Sequence, residues 1–326
     1  MVFDYTDSVS SDAWRSFLGG ENIYFFHTPE WAKVMEEAFG YRVATRIYHT
    51  PEGDVLVPMM ELRRFGFSVC QSVPHGYGGF FPSSGLSERV LSDLIGSLVG
   101  GRHLSLDLAL PPGVALQAQG VPGIQKTLSE WNYTHILRLD GPDSAVEQRY
   151  NRHARRDIGI AERNHVEIVN KDGFAQFQQY YALYETRTRE WGYQEPPYPR
   201  EVYDLLHRYG RPYVRVRLAE MHGAAIGGLV TFEYGDTVFA WSNAVPAASR
   251  PFCPVHLLLD DALRSAQEKG FSLVNLGGSG NLHGVRKFKE SFGAVRVDLE
   301  TYRIASRLAS LAQAGWWSGY LRKSLE

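Results

Sequence analysis

The fold class predicted is α+β, built as two similar domains. Three observations predict it. At 326 residues the chain exceeds one ordinary domain of about 100–200 residues. Hydrophobic residues make up 44% and charged residues 21%, which is material for ordinary cores. On either side of Gly141–Asp143 the patterns run in the same order: helix, strands, helix, strand. No residue-level repeat accompanies that order, so the similarity is architectural. The expected division is 1–143, 144–303 and a terminal helix over 304–326 that returns to the first domain.

In the first half, "TPEWAKVMEEAFG" predicts a helix with Thr28 as N-cap, Pro29 at N1 and Gly40 as its stop. "YRVATRIYHT" and "GDVLVPMMELRRF" read as two strands joined by a Gly- and Pro-bearing turn. "FSVCQSVPHGYGGFF" reads as a strand entering a glycine-rich bend. "SERVLSDLIGSLVG" is a capped helix, "GRHLSLDLALPP" a strand closed by prolines, and "YTHILRLDGPD" a further strand.

In the second half, a polar helix is expected from about Ser144 to Asn164, with Val146, Tyr150, Ala154, Ile158 and Ala161 facing inward. The strand "HVEIV" and the long helix "GFAQFQQYYALYETRTREWGY" follow. "PYVRVRLAEM", "AAIGGLVTFEY" and "TVFAWSNAV" predict an antiparallel meander. "PVHLLLDDALRSAQEKG" carries an apolar face at helical spacing. Then come the strand "FSLVNLGG", a short helix in "GVRKFKESFG", the strand "AVRVDLETYRI" and a helical tail.

Composition excludes several classes. A net charge of −2 argues against a dedicated nucleic-acid protein and leaves room for a local basic patch; no DNA partner is expected. Cys70 and Cys253 are the two cysteines, which suits a reduced cytoplasm and excludes a disulfide framework. The first residues show no basic segment followed by an apolar run, and no stretch suits a transmembrane helix, so a cytoplasmic protein is expected. "GGSGNLHG" is GxGxxxG without a following βαβ unit, so it does not make a dinucleotide site. With no HExxH, CxxC or GxSxG, neither a metal centre nor a serine triad is expected, and no cofactor is called for.

Several constellations remain. Arg149, Arg152, Arg156 and Arg163 fall on one face of the expected helix, either a solvated face or one facing phosphates. Arg189 and Tyr193, four apart, would be neighbours on a helix. Asp107 lies in an apolar strand and needs a cationic partner or a cleft. The tail groups Trp316, Trp317 and Tyr320 with Arg322 and Lys323, which suits core packing or peripheral contact with a membrane.

These residues resemble the FemAB-like transferases within the GNAT (N-acyltransferase) superfamily. The stretches that carry the resemblance are "FFHTPEWAKV", "RYNRHARRDIGIAERNHVEI", "YYALYETRTREWGY", "LVNLGGSGNLHGVRKFKESFGAVRVDLETYRI" and "VPHGYGGFFP". The resemblance implies two GNAT-like domains packed around a central cleft. It implies transfer of an amino acid from aminoacyl-tRNA to an amine of a cytoplasmic acceptor, a peptidoglycan precursor or a secondary-metabolite peptide. Transfer from acyl-CoA, and a non-catalytic binding protein of the same fold, are the alternatives. The long helical hairpin often inserted in cell-wall members is missing here. The loop "PAASRPFCP" has no glycine where acyl-CoA enzymes carry a Q/R-x-x-G-x-G/A phosphate cradle.

By the same resemblance, Phe288 and Lys289 fall on the family's phenylalanine–lysine pair at the reaction centre. Lys33, Arg189, Tyr193, Trp241 and Tyr77 fall on substrate contacts, and Asp107 on a cleft carboxylate. Arg149, Arg152, Arg156 and Arg286 are assigned to phosphate or tRNA. Aminolysis of an ester or thioester passes through an oxyanion, for which a protonated lysine is suited. No histidine is an evident base, and Asp107 or a substrate phosphate are the candidates.

Overall fold

A computed structural model describes residues 3–64, 67–98, 103–116, 124–127, 132–140, 145–170 and 173–306. The chain divides into two compact units. One comprises Met1–Asn22, Phe26–Asn132 and Asp298–Glu326, the other Ile23–Phe25 and Tyr133–Val297. Elements are numbered in chain order.

The first unit holds α1 (Ser11–Arg15), α2 (Pro29–Phe39) and α3 (Glu88–Ser97). Thr28 caps α2 by accepting from the Trp31 amide, and Gly40 ends it at φ 71°. Ser87 caps α3 in the same way. One sheet orders β1 (Tyr5–Thr6), β3 (Arg46–Thr50), β4 (Gly53–Val57) and β7 (Phe81–Pro82). A second contains β2 (Arg42–Val43), β5 (Met60–Arg64), β6 (Phe67–Gln71), β8 (His103–Ala109), β17 (Thr301–Ala305) and β9 (Ile124–Thr127), in that order. The core gathers Val55, Val57, Leu94, Ile95, Leu106 and Ile304.

Two expected strands divide between these sheets. "YRVATRIYHT" forms β2 and β3, and "GDVLVPMMELRRF" forms β4 and β5. Pro58 lies at the second break, where a residue without an N–H cannot continue a ladder.

The second unit is built on one sheet, in the order β11 (Glu167–Asn170), β12 (Val214–Met221), β13 (Ala224–Tyr234), β14 (Thr237–Ala244), β15 (Leu273–Asn275), β10 (Tyr133–Arg138) and β16 (Val295–Asp298). Its helices are α4 (Arg152–Arg163), α5 (Phe174–Glu190), α6 (Arg200–Tyr209), α7 (Pro254–Glu268) and α8 (His283–Ser291). The β11–β14 ladder is antiparallel, but β14 and β15 run parallel. They pair only from Thr237–Leu273 to Phe239–Asn275. β14 stays paired with β13 as far as Ala244, so beyond Phe239 it parts from β15 and a wedge opens.

Val146, Tyr150, Ala154, Ile158 and Ala161 are all buried, as their periodicity implies. The continuous helix expected over 144–164 is interrupted, however. Val146–Arg149 is a 3-10 turn, and α4 starts after Asn151, whose side chain accepts from the His153 and Ala154 amides. A helix start needs such an acceptor, and Asn supplies it inside what reads as one pattern. "AVRVDLETYRI" also divides, giving β16 to this sheet and β17 to the first unit. "YTHILRLD", expected in the first domain, supplies β10 here. The expected boundary at 143/144 lies outside the described residues, as does the tail beyond Ser306 with its tryptophans. Ala305, expected in the terminal helix, belongs to β17 together with Ile304, the last residue of the expected strand. Among the described residues no helix is long and apolar enough to cross a membrane.

Candidate active site in the second unit

The wedge between β14 and β15 opens above a loop of glycines, Gly277 to Gly280, that leads into α8. Gly277 and Gly280 have φ of 71° and 50°, conformations that cost a side chain free energy. Asn275 Oδ1 accepts from the Gly277 amide at 2.9 Å and from the Thr134 hydroxyl at 2.6 Å. The Tyr133 hydroxyl donates to the Gly280 carbonyl at 2.7 Å. The loop is thus held from both sides.

Val285 and Phe288 in α8 share a face with Phe292, its C-cap. Phe292 is fully buried, with ring centroids 4.9 Å from Tyr150 and 5.4 Å from Phe288. Phe288 also meets the His256 ring edge to face at 4.9 Å. These aromatic contacts fix the helix, and the helix fixes Lys289. That lysine is 7% exposed, and its Nζ donates to the carbonyls of Gly277, at 2.9 Å, and Gly278. Burial lowers its pKa from the ordinary value near 10.5 to about 7. A neutral amine has two N–H donors and one lone pair. The two carbonyls take both donors and leave the lone pair available to accept a proton. The ammonium form has a third N–H to offer an oxyanion. Near pH 7 both forms are populated.

His135, wholly buried, stands beside this group. Its Nδ1 lies 3.4 Å from the Ser279 hydroxyl, and its Nε2 is buried without a hydrogen bond. Desolvation, then the charge of Lys289, lowers its pKa, so the ring is neutral.

One turn before Lys289, Val285 lines a cleft of about 640 Å³ that also takes in Arg187, Trp191, Arg250, Cys253 and His256. Its wall includes Asn243 from the open end of β14 and Val245 just beyond it. Arg187 lies over the Trp191 ring at 4.5 Å and donates to Glu190 at 2.8 Å. Glu190 in turn accepts from the Ala247 amide at 2.9 Å, which holds the 3-10 turn Ala247–Phe252 in place. Pro251 and Pro254 lack N–H groups, so the approach to α7 offers few amides to an anion. Positive charge at this cleft comes from arginine side chains.

Residues 146–290 match the acetyltransferase (GNAT) domain family. Over 95% of this chain and 99% of that chain, the crystal structure of FemX is similar at a TM-score of 0.75 and 12% identity. The chain has a tandem GNAT fold. L-PGS from Bacillus licheniformis is similar over 87% of this chain and 93% of that one, at a TM-score of 0.52 and 12% identity. A tandem GNAT protein from the clavulanic acid biosynthesis pathway is similar over 93% of this chain and 99% of that one, at 0.50 and 12%. No curated protein sequence matches.

On this GNAT framework the sequence-derived candidates scatter. Phe288, Lys289 and Arg286 come together on α8; Arg286 Nε lies 3.4 Å from Glu290. Asp107 is in the first unit, with both carboxylate oxygens on Arg303 at 2.6 and 3.0 Å. It is the ion-paired carboxylate of the two readings, and the pairing occupies the oxygens a base would need. Lys33 is exposed on α2, and Tyr77 is buried against Phe26, both in the first unit. Arg189 is 67% exposed and pairs with Glu185 at 3.1 Å. Tyr193 is not its helical neighbour, because α5 ends at Glu190 and Gly192 turns the chain at φ 87°. Trp241 stacks on Phe232 at 5.0 Å and meets Tyr198 at 4.8 Å. Arg152 and Arg156 are exposed on α4, whereas Arg149 precedes Asn151 and donates to the Arg138 carbonyl. The single four-arginine face is therefore not formed.

Sequence reasoning missed Arg187, Trp191, Arg250 and His256 at the cleft, and His135 beside Lys289. Arg187 sits two residues from Arg189, and helical spacing alone does not say which of the two turns toward a ligand. His135 lies in a strand that reads as plain core.

Proposed function

We propose that this chain is an aminoacyltransferase. It moves an amino acid from aminoacyl-tRNA to an amine of an acceptor and forms an amide. The observation that carries the proposal is Lys289, buried beneath the wedge with its amine poised near pH 7 and both neutral-form donors occupied. The acceptor amine attacks the ester carbonyl, and Lys289 takes a proton from the attacking nitrogen. Its new third N–H then serves the oxyanion. As the carbon–oxygen bond of the ester breaks, that proton passes to the leaving ribose oxygen. Arg187 and Arg250 hold donor phosphates in place of an amide cradle. Phe288 acts by fixing Lys289.

By the family resemblance, Lys33, Arg189 and Tyr193 are proposed as acceptor contacts, and Tyr77 and Trp241 as further substrate contacts. Arg152, Arg156 and Arg286 are proposed to meet tRNA phosphates. A peptidoglycan-type or secondary-metabolite amine is the proposed acceptor. Transfer from acyl-CoA is the second reading, favoured by the match of residues 146–290 to an acetyltransferase domain. A binding protein of the same fold without catalysis is the third reading.

The test is a donor assay with labelled amino acid and candidate amines. Label incorporation that RNase abolishes supports aminoacyl-tRNA. RNase-resistant transfer from acyl-CoA overturns the first reading in favour of the second. No transfer from either, with intact ligand binding, overturns both.

A further inference from the structure

Among the described residues, two clusters bring together side chains of the kinds that bind metals: Glu61, Cys70 and His103 in the first unit, and Asp157, Cys253 and His256 in the second. The first is an internal polar network. Ser68 and Arg46 occupy the two nitrogens of His103 at 2.7 and 3.0 Å, and Arg63 pairs with Glu61. Two guanidinium groups beside the donors repel a cation.

In the second cluster no hydroxyl or guanidinium group holds a histidine nitrogen, and one guanidinium, Arg156, touches the carboxylate. His256 Nε2 faces Asp157 Oδ2 at 3.4 Å, and its Nδ1 is buried without a hydrogen bond. With its proton on Nδ1, the ring turns the Nε2 lone pair toward the carboxylate, an arrangement that an ion between the two would bridge. Zinc–nitrogen and zinc–oxygen bonds of about 2.0–2.2 Å at a tetrahedral angle place two ligand atoms roughly 3.3–3.5 Å apart. The observed separation is that edge. Cys253 Sγ completes the set, and the three donor atoms lie within 4.8 Å of one another. Asp157 Oδ1 is taken by Arg156 at 2.7 Å, which orients the carboxylate and leaves Oδ2 for a ligand. Cys253 and His256 are separated by Pro254 and Val255 at the start of α7, so one turn presents both. Cys253 adopts φ 53°, ψ 34°, a left-handed conformation that glycine would take more easily. The backbone holds a thiol at this place against its preference.

We propose that Asp157, Cys253 and His256 form a divalent transition-metal site of the zinc class, with its fourth position open to the cleft. Thiolate and carboxylate charges balance the ion, and the neutral imidazole adds a borderline-soft donor. Cys253 and His256 both line the cleft, so water or a phosphate oxygen can complete the shell. The proposal goes beyond the transferase reading and does not depend on which donor is used.

The experiment is titration of the chelator-stripped full chain with cobalt(II), a spectroscopic stand-in for zinc. The expected result is one equivalent bound, with intense visible bands of tetrahedral cobalt and a near-ultraviolet thiolate charge-transfer band. Cys253→Ser is expected to lose the charge-transfer band, and His256→Ala to weaken binding by about tenfold or more. Cys70→Ser is expected to change nothing. Added inorganic phosphate should shift the visible bands. Circular dichroism confirms that each variant is folded. No saturable binding, or a charge-transfer band that survives in Cys253→Ser, overturns the site. Bands unmoved by phosphate overturn its open position.

Discussion

A lysine buried to 7% exposure is held there against its own hydration, and the two glycine carbonyls recover part of the loss. Replacing Lys289 by alanine should lower kcat by about 100–1000-fold, the usual effect of removing one such group. Because deprotonated Lys289 is the acting form, the kcat–pH profile is expected to rise through about 7 to a plateau. A flat profile in the wild-type enzyme, or near-normal kcat in a folded Lys289→Ala, would remove the lysine from the chemistry. The two arginines of α5 should behave differently. Arg187 lines the cleft, while Arg189 points to solvent beside Glu185. Arg187→Lys is expected to raise the KM for the donor several-fold through loss of the planar fork. Arg189→Lys should leave the donor KM unchanged and raise only that of the acceptor. Equal donor effects in steady-state kinetics would contradict the cleft assignment.

At the scale of elements, the junction of α8 with the start of α4 carries a sharp constraint. Gly293 has φ 86°, and a Cβ there would lie 2.9 Å from the Arg149 Cβ and 3.1 Å from the Arg149 carbonyl. Gly293→Ala is expected to destabilise by about 1–3 kcal/mol, from overpacking and backbone strain together. Chemical denaturation measures this, and a change under about 0.5 kcal/mol would mean that the junction yields easily. The same junction shows what was legible in the sequence. Phenylalanine spacing marked α8 and its buried face, and Thr28, Ser87 and Gly40 marked helix ends, because caps and periodicity are local signals. Asn151 was just as local, but apolar periodicity ran through it from Val146 to Ala161, so a cap was read as helix interior. The strand breaks at Pro58 and between β16 and β17 were hidden because sheet membership depends on partners far away in the chain. The Cys253–His256 pair fits no common metal motif, and Asp157 comes from another helix. Local sequence therefore gave no reason to expect a metal, whereas Phe288 and Lys289 stand within one short helix.

For the whole molecule, the buried lysine makes stability depend on pH in a particular direction. Its folded pKa, about 7, lies below the ordinary 10.5. Between those values the unfolded chain carries a proton on Lys289 that the folded chain lacks. Raising the pH through this window therefore stabilises the fold, by at most about 1.4 kcal/mol per pH unit, and below pH 7 the full penalty is present. Lys289→Met removes this dependence. The denaturation midpoint of the wild type, taken relative to Lys289→Met, is expected to rise from pH 7 to pH 9. A constant difference would show that Lys289 keeps an ordinary pKa.

The Asp107–Arg303 pair joins residues 196 apart, because β17 lies between β8 and β9 in the first unit's sheet. On a ribosome, β8 is made long before its partner. At roughly 5–20 residues per second the edge of β8 waits on the order of ten to forty seconds for β17 to arrive. The second unit needs only Ile23–Phe25 from the early chain and nothing beyond Val297, so it is complete first. Synthesis order and folding order are thus reversed, and in the interval the unfinished sheet depends on whatever can shield an open strand edge. Nascent chains arrested with residues 301–305 still inside the exit tunnel should show a protease-resistant second unit and a cleavable first one. Resistance in both would mean that β8 is protected without β17.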